Sequence, residues 1–147
     1  MGMTELELIF SEFGVLSDDA KKLRYEVFCG EQRVPYENEI DDMEDKSWHV
    51  VAYLGGEAVG VGRVFRYKDS AYKIGRVAVE KEHRGKHIGA AVMGALEEKV
   101  AQEGGDTALL SAQIQASGFY RKLGYIPFGE EYLEENIPHV MMGKELG

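Results

Sequence analysis

The sequence contains very little cysteine and no long hydrophobic run, and both shortages limit what the protein can be. Only one of its 147 residues is cysteine, so an internal disulfide is excluded and the thiolate cluster of a structural zinc site is missing. The longer apolar stretches, such as residues 49–54, fall far short of the ~20 residues that a membrane helix needs. The N-terminus also lacks a basic flank leading into an apolar run. We therefore expect a cytoplasmic protein with no membrane partner, in which Cys29 is a buried structural thiol.

Positive charge is also scarce, which argues against nucleic acid as a partner. Lys and Arg number 17 against 26 Asp and Glu, giving a formal net charge of −9, whereas phosphate backbones favour clustered cations. The length and the 44% hydrophobic content predict one globular domain over residues 1–147. The charge is uneven, however, because residues 81–87 contain three cations and two histidines against the single carboxylate of Glu82.

Hydrophobic periodicity predicts a mixed α/β sheet with helices packed on it. The predicted strands are residues 5–10, 48–54, 58–67, 72–79 and 108–112, with further strand from Tyr125 to a tail at residues 140–144. The predicted helices are a segment that Ser17 caps and that ends near Cys29, the segment 87–103, and the segment 116–123. Residues 31–46, which are rich in carboxylates, are expected to form an exposed loop, with or without a short helical turn.

A basic turn at residues 84–90 follows the strand that ends at Val79 and opens directly into the helix 87–103. Free amide groups at a helix start, the helix dipole and glycines that allow close approach together favour a bound anion, and Arg84 and Lys86 add full charges. The spacing matches neither the dinucleotide fingerprint nor the nucleoside-triphosphate loop. A helix start that merely happens to be basic remains the alternative interpretation.

Two motifs in this region resemble those of the GNAT-type N-acetyltransferases. Residues 84–90 are similar to the family's cofactor motif Arg/Gln-x-x-Gly-x-Gly/Ala, with His87 in place of the usual first glycine. We expect His87 to adopt the glycine-like backbone or to place its ring near the phosphates. Residues 113–125 resemble the signature Asn-x-x-Ala-x-x-Phe-Tyr-x-x-Leu-Gly-Phe, with Gln113 replacing the asparagine. Further matches are to the ElaA-like subgroup, namely Arg24-x-x-x-Phe28, Glu31-Gln32, the acidic residues 39–42 and Ile137-Pro138-His139.

The resemblance implies the GNAT-type acyl-CoA N-acyltransferase fold, in which a central, mostly antiparallel, twisted sheet is splayed at the cofactor site and flanked by helices. It also implies acetyl-CoA as co-substrate, no metal, and a backbone N–H near Val79 that polarises the thioester carbonyl. The cofactor-binding residues that it implies are Val77, Ala78, Val79, Arg84, Gly85, Lys86, His87, Ile88, Gly89, Ala90, Gln113, Ser117 and Tyr120.

Tyr120 is the predicted general acid, because a phenol of pKa ~10 can return a proton to a leaving thiolate. The alternative is a tyrosine that only packs the short helix against the sheet. Ser117 is expected to contact pantetheine or to cap that helix. Candidates for the general base are Glu39, Asp41, Asp42, His49 and His139, and the sequence does not choose among them. The acidic segment either attracts a cationic amine or is only a solvated face.

The predicted function is transfer of an acetyl group from acetyl-CoA to a primary amine of a small molecule or peptide by direct attack. Because His87 and Gln113 depart from the family pattern, a non-catalytic acyl-CoA-binding sensor or partner protein is the alternative. An acyl-homoserine lactone synthase is a third hypothesis, which the short chain and the absence of a tryptophan soon after Phe28 oppose. The tail from Tyr125, with Phe128, Val140, Met141 and Met142, could supply a dimer-facing edge strand, so a homodimer stays open.

Overall fold

The computed structural model describes residues 5–147, which form one twisted sheet flanked by helices on both faces. The strands are β1 (Leu6–Phe10), β2 (Ser47–Leu54), β3 (Glu57–Lys68), β4 (Ala71–Val79), β5 (Thr107–Gln113), β6 (Ile126–Glu134) and β7 (Ile137–Glu145). The helices are α1 (Asp18–Arg24), which continues as a π-helix (Tyr25–Glu31), α2 (Tyr36–Glu39), α3 (Ile88–Gln102) and α4 (Ser117–Lys122). Three short 3₁₀ turns cover Glu44–Lys46, Lys81–His83 and Ile114–Ala116.

The sheet has the strand order β1-β2-β3-β4-β5-β7-β6. Every neighbouring pair is antiparallel except β4 and β5, which are parallel because α3 forms the crossover between them. The predicted order of strands and helices is confirmed, and so is the mixed, mostly antiparallel sheet. None of the helices within residues 5–147 is long and apolar enough to cross a bilayer.

Two helices cover opposite faces of the sheet. Ser17 caps α1 by accepting a hydrogen bond from the amide of Ala20 at 3.2 Å, as its position before an amphipathic segment predicts. The inward side chains Ala20, Leu23 and Val27 pack on one face of the central strands. On the other face, α3 buries Val92, Leu96 and Val100 in the main core.

Glycines on β3 allow α3 to lie close to the sheet. A Cβ atom built on Gly62 would stand 2.7 Å from Leu96 Cδ1 and 2.9 Å from Val92 Cγ1, and one on Gly60 would stand 2.9 Å from Ile88 Cγ2. Because Leu96 and Val92 are fully buried, they have no free space into which to move. The close approach of α3, whose first turn belongs to the basic segment, therefore depends on these glycines.

We expect Gly62→Val to lower the free energy of unfolding by about 1–3 kcal/mol, the usual range for overpacking a filled core. Gly94→Ala is the matched control, since Gly94 is exposed on α3 and an added Cβ would meet nothing within 4 Å. That change should raise the stability by up to about 1 kcal/mol, because alanine is the better helix former. Urea unfolding of both variants gives the comparison, and equal shifts in the two would contradict the packing argument.

Several predictions for the peripheral segments were wrong. Strand β7 lies inside the sheet between β5 and β6, so its residues Val140 and Met142 are buried in the core and cannot face a partner. The expectation of an edge strand in the tail from Tyr125 is confirmed for β6, which forms one edge of the sheet while β1 forms the other, and which exposes Phe128 and other apolar side chains. Cys29 is only partly buried. Residues 31–46 contain the short helical turn that the sequence allowed, α2, and are largely exposed, but Glu39 and Glu44 are 2% and 8% exposed, so the segment is not simply a solvated loop.

Candidate active site

The parallel strands β4 and β5 separate halfway along their length. Their pairing runs from Ala71 with Thr107 to Ile74 with Leu110, and the remaining residues of both strands continue without pairing to each other. A bulge in β4 accompanies the separation, because Val61 pairs with Ala78 while Arg63 pairs with Gly75. Arg76, in the bulge, has the left-handed φ of +53°. The predicted splay between these strands is confirmed, and it leaves main-chain groups of residues 77–79 beside an open gap.

The basic turn lies at the end of the same strand. Gly85 and His87 adopt φ values of +84° and +62°, and His87 is the N-cap of α3, which runs for 15 residues. His87 therefore has the left-handed backbone that the family motif provides with glycine, as one of the two predictions for it stated. From Arg84 to His87 the segment is exposed, so its amides and cations are accessible to an anion.

Arg84 is held by protein groups in this structure. Its guanidinium forms two hydrogen bonds to the Glu31 carboxylate, at 2.9 and 2.7 Å, and Nε donates to the Val79 carbonyl at 3.0 Å. Glu31 is the last residue of the π-helix. The next residue, Gln32, accepts a hydrogen bond at 2.9 Å from Gln113 at the end of β5. The end of the π-helix is thus linked to both strands that border the gap.

A cleft of about 510 Å³ opens at the splay. Residues of β4, β5, α4 and β7 line it together with the segment around α2, and among them are Arg76, Gln113, Tyr120 and His139. This size is within the range of small-molecule sites. The structure therefore brings Tyr120, Val77 and Gln113 together at one cavity, whereas the exposed basic turn lies outside its lining.

Tyr120 is one of the residues that line this cleft. Its ring packs edge-on against Phe119 and Tyr125, with centroid distances of 5.0 and 6.1 Å. Within residues 5–147 the Tyr120 hydroxyl makes no hydrogen bond to protein. Burial raises the pKa of Tyr120 to about 12. A phenol that lines a cleft and remains protonated near neutral pH can donate to a bound ligand. Ser117, by contrast, donates to the Ile114 carbonyl at 2.8 Å and stabilises the start of α4.

A buried network of arginines and carboxylates forms one wall of the cleft. Arg24, 1% exposed, binds both Glu39 and Glu44 through its guanidinium, at distances of 2.7 to 3.3 Å. Arg63 binds Asp41 through two hydrogen bonds of 2.7 and 2.9 Å. Arg76 lies 2.9 Å from Glu39 and 3.2 Å from Asp41. Because three guanidinium groups face three carboxylates, the charges of the network balance.

Most of the candidate general bases are excluded, either by their place in this network or because they lie outside the cleft. Burial by itself raises the pKa of Asp41, but the hydrogen bonds and charge of Arg63, with help from the Met43 amide and Arg76, lower it to about 2. Glu39 is buried between two arginines. His49 donates to the Glu44 carbonyl at 2.8 Å, burial lowers its pKa, and it does not line the cleft. Asp42 is exposed and also outside the lining. Of the five candidates, His139 is the group that lines the cleft without an arginine partner.

The contribution of Arg63 and Arg76 was not predicted from the sequence. A signal for it exists, because an arginine in the middle of a buried strand needs a buried anion. The six carboxylates between Glu37 and Asp45 supply a dense acidic segment. Pairing the buried arginines with these carboxylates identifies the acidic segment as a structural wall rather than as a solvated face.

A mixed sheet whose single parallel pair splays beside a basic helix start defines the GNAT-type class of acyl-CoA N-acyltransferases. Residues 15–146 match the acetyltransferase (GNAT) domain family. Over 128 residues the chain is 45% identical to YjcF of Bacillus subtilis (strain 168), described as an uncharacterized N-acetyltransferase, across 86% of this chain and 91% of that protein. The chain belongs to the GNAT acetyltransferase family and is an acyltransferase.

Two solved structures are similar to this one over nearly their whole length. The crystal structure of Escherichia coli ElaA superposes with a TM-score of 0.83 and 29% identity, covering 96% of this chain and 100% of that chain. An aminoglycoside 6'-N-acetyltransferase complexed with coenzyme A shares the fold, with a TM-score of 0.69 and 20% identity over 94% and 97% of the two chains. The match to ElaA confirms the subgroup that the sequence motifs indicate.

Proposed function

We propose that this protein transfers an acetyl group from acetyl-CoA to a primary amine by direct attack. The observation that carries the proposal is the splay of β4 and β5, which joins an exposed basic helix start to a cleft containing the free hydroxyl of Tyr120. An acyl thioester attached to a long anionic carrier fits this arrangement. The phosphate end needs cations and amides, and the thioester end needs a shielded reaction site. The aminoglycoside 6'-N-acetyltransferase of the same fold is complexed with coenzyme A, which supports coenzyme A as the ligand.

In this proposal the pyrophosphate lies against the amides of residues 85–90 and the cations of Arg84 and Lys86. The pantetheine arm runs along Val77, Ala78 and Val79, which have no β5 partner and can pair with an amide-bearing ligand as a strand would. Arg84 then exchanges the Glu31 carboxylate for phosphate oxygens. Because the exposed pair with Glu31 contributes only about 0–1 kcal/mol, most of the interaction of Arg84 with phosphate is a net gain.

Tyr120 is the proposed general acid. Its hydroxyl lines the cleft and makes no hydrogen bond to another residue of the described chain, so it is free to donate to the sulfur as the thioester breaks. Its pKa of about 12 exceeds the ~8.5 of an ordinary thiol. Hydrogen-bond donation to the leaving sulfur is therefore its first contribution, with proton transfer following as the thiolate separates.

We expect acetyl-CoA to raise the thermal midpoint of the wild-type protein, because a ligand at 100 times its Kd adds ~2.7 kcal/mol to the stability. Arg84→Ala should weaken binding by roughly 10- to 100-fold, the value of a charge-assisted hydrogen bond of about 1.5–3 kcal/mol. Isothermal titration calorimetry measures both affinities directly. Arg66→Ala is the matched control, since Arg66 is an exposed arginine bonded to the Asp69 carbonyl and lies outside the basic turn.

Turnover distinguishes the proposal from its alternative. Acetyl-CoA consumption is followed with an amine panel of polyamines, amino sugars and peptides with free α-amines, and release of free thiol is the readout. Binding of acetyl-CoA without turnover of any amine would favour the non-catalytic acyl-CoA-binding sensor. Absence of binding at millimolar acetyl-CoA would overturn the proposed cofactor site itself.

A further inference from the structure

His139 lies at the open end of the splay between β4 and β5. It lies on β7 directly opposite Gln113, the last residue of β5, and only 6% of its surface is exposed. Its side chain lines the same cavity as the Tyr120 hydroxyl. A histidine that is this deeply enclosed and still borders a cavity is accessible to a ligand in that cavity rather than to bulk solvent.

The backbone fixes the tautomer of the neutral ring. Nδ1 of His139 lies 2.6 Å from the carbonyl oxygen of Ile137. A carbonyl can only accept a hydrogen bond, so Nδ1 carries the proton and Nε2 of the neutral ring carries the lone pair. The nearest charged partner of Nε2 is Glu134 Oε2 at 3.7 Å, which is beyond hydrogen-bonding distance. The basic nitrogen is therefore free to accept a proton.

Neighbouring groups hold the ring of His139 in place. The ring stacks on Tyr132 at a centroid distance of 6.1 Å, and the Tyr132 hydroxyl is hydrogen-bonded to Ser111. Glu134 Oε2 lies 3.7 Å from Nε2, at the border of the same cavity. The other titratable groups lining the cavity are Lys73 and Arg76 of β4, Tyr120 of α4, Glu135, and the charged residues Glu39, Asp41 and Arg63 of the ion-pair network.

We infer that Nε2 of His139 is the general base that accepts the proton of the attacking amine. The inference rests on the proposed acetyl transfer and adds a role for this residue. As the amine nitrogen forms its bond to the acyl carbon, the surplus N–H proton passes to Nε2. The carbon–sulfur bond breaks with its electron pair on sulfur, which takes a proton from Tyr120. Both groups return to their starting protonation states when the His139 imidazolium releases its proton to water and the Tyr120 phenolate takes one up.

The tautomer can be tested without any acceptor amine. Long-range ¹H–¹⁵N NMR of the histidine-labelled protein should show His139 with Nδ1 protonated and Nε2 unprotonated in the neutral ring, and His139→Asn assigns the signal. A neutral ring with the proton on Nε2 would overturn the inference. This measurement is independent of the proposed function, because it needs neither acetyl-CoA nor turnover.

The kinetic test compares His139→Asn with His49→Asn. With acetyl-CoA and whichever amine of the panel the wild type acetylates, His139→Asn should lower kcat by about 100-fold or more, the usual contribution of a general base. Its affinity for acetyl-CoA by calorimetry should stay unchanged. His49→Asn changes a buried histidine outside the cleft and should keep kcat while lowering the thermal midpoint.

The pH profile separates a base from a structural residue. Wild-type kcat should fall as the pH is lowered and the base becomes protonated, and His139→Asn should lose that acidic limb. Free imidazole should restore part of the rate of His139→Ala. A variant that keeps both kcat and the acidic limb would refute the role of His139. If the wild type acetylates no amine although it binds acetyl-CoA, the proposed function fails instead, and the NMR result still decides the tautomer.

Discussion

Replacing Arg24 with methionine is expected to lower the free energy of unfolding by about 3–5 kcal/mol, the range for removing one partner of a buried ion pair. Arg24 is 1% exposed and satisfies two carboxylates, Glu39 and Glu44, that would otherwise lie in the interior without this partner. Methionine fills a similar space, so the loss reports the missing charge and hydrogen bonds rather than a cavity. Equilibrium unfolding in urea at pH 7 measures it.

Arg84→Met is the matched control for this prediction. Arg84 and Glu31 approach to the same 2.7 Å as Arg24 and Glu44, but their side chains are 45% and 33% exposed. An exposed pair contributes only about 0–1 kcal/mol, because water solvates both partners when the pair breaks. Adding Glu44→Gln to Arg24→Met should restore part of the stability, because the two remaining guanidinium groups then face two carboxylates, Glu39 and Asp41. Equal losses in the two arginine variants would show that burial of the network does not determine its strength.

Tyr120→Phe is expected to lower kcat by about 100-fold, at the lower end of what general acids contribute, because the phenol is a weak acid in this cleft. The ring keeps its edge-on packing against Phe119 and Tyr125. The free energy of unfolding should therefore change little, since the lost hydroxyl has no partner among residues 5–147. Steady-state kinetics with saturating acetyl-CoA and the best amine of the panel, together with urea unfolding, test both parts.

Tyr125→Phe should give the opposite pattern. The Tyr125 hydroxyl donates to Glu97 at 2.7 Å on α3, and it does not line the cleft. Losing that hydrogen bond to a carboxylate should reduce the stability by about 1.5–3 kcal/mol and leave kcat unchanged. If Tyr120→Phe instead loses stability and keeps its rate, Tyr120 is the packing residue that the alternative interpretation describes.

Elements that depend only on residues close together in the sequence were predictable from it. The α3 segment repeats its apolar side chains at helical spacing, and the hairpin of β2 and β3 turns at two consecutive glycines, so both follow from local preference and pattern. The left-handed conformation of His87 also lies within one contiguous motif. The continuation of α1 as a π-helix was missed, because an added residue in a helix leaves the apolar pattern almost unchanged.

The acidic segment shows where sequence reasoning stopped. Its carboxylates outnumber its cations locally, which is the usual pattern of a solvated loop. The arginines that neutralise them come from α1, β3 and β4, up to 37 residues away along the chain. Coulomb interactions depend on the distance between charges in space and on burial, and neither quantity is written in the spacing of the residues. For the same reason, the sequence could not identify the general base among the five candidates.

By itself, the sequence determined the family, the order of strands and helices, and the basic turn that opens α3, because each of these is encoded in contiguous residues whose backbone preferences act locally. Only the tertiary structure decided which carboxylates are neutralised by arginine, which strands form the edges of the sheet, and which histidine borders the cleft. Those outcomes depend on side chains that strand pairing and helix packing bring together from distant parts of the chain.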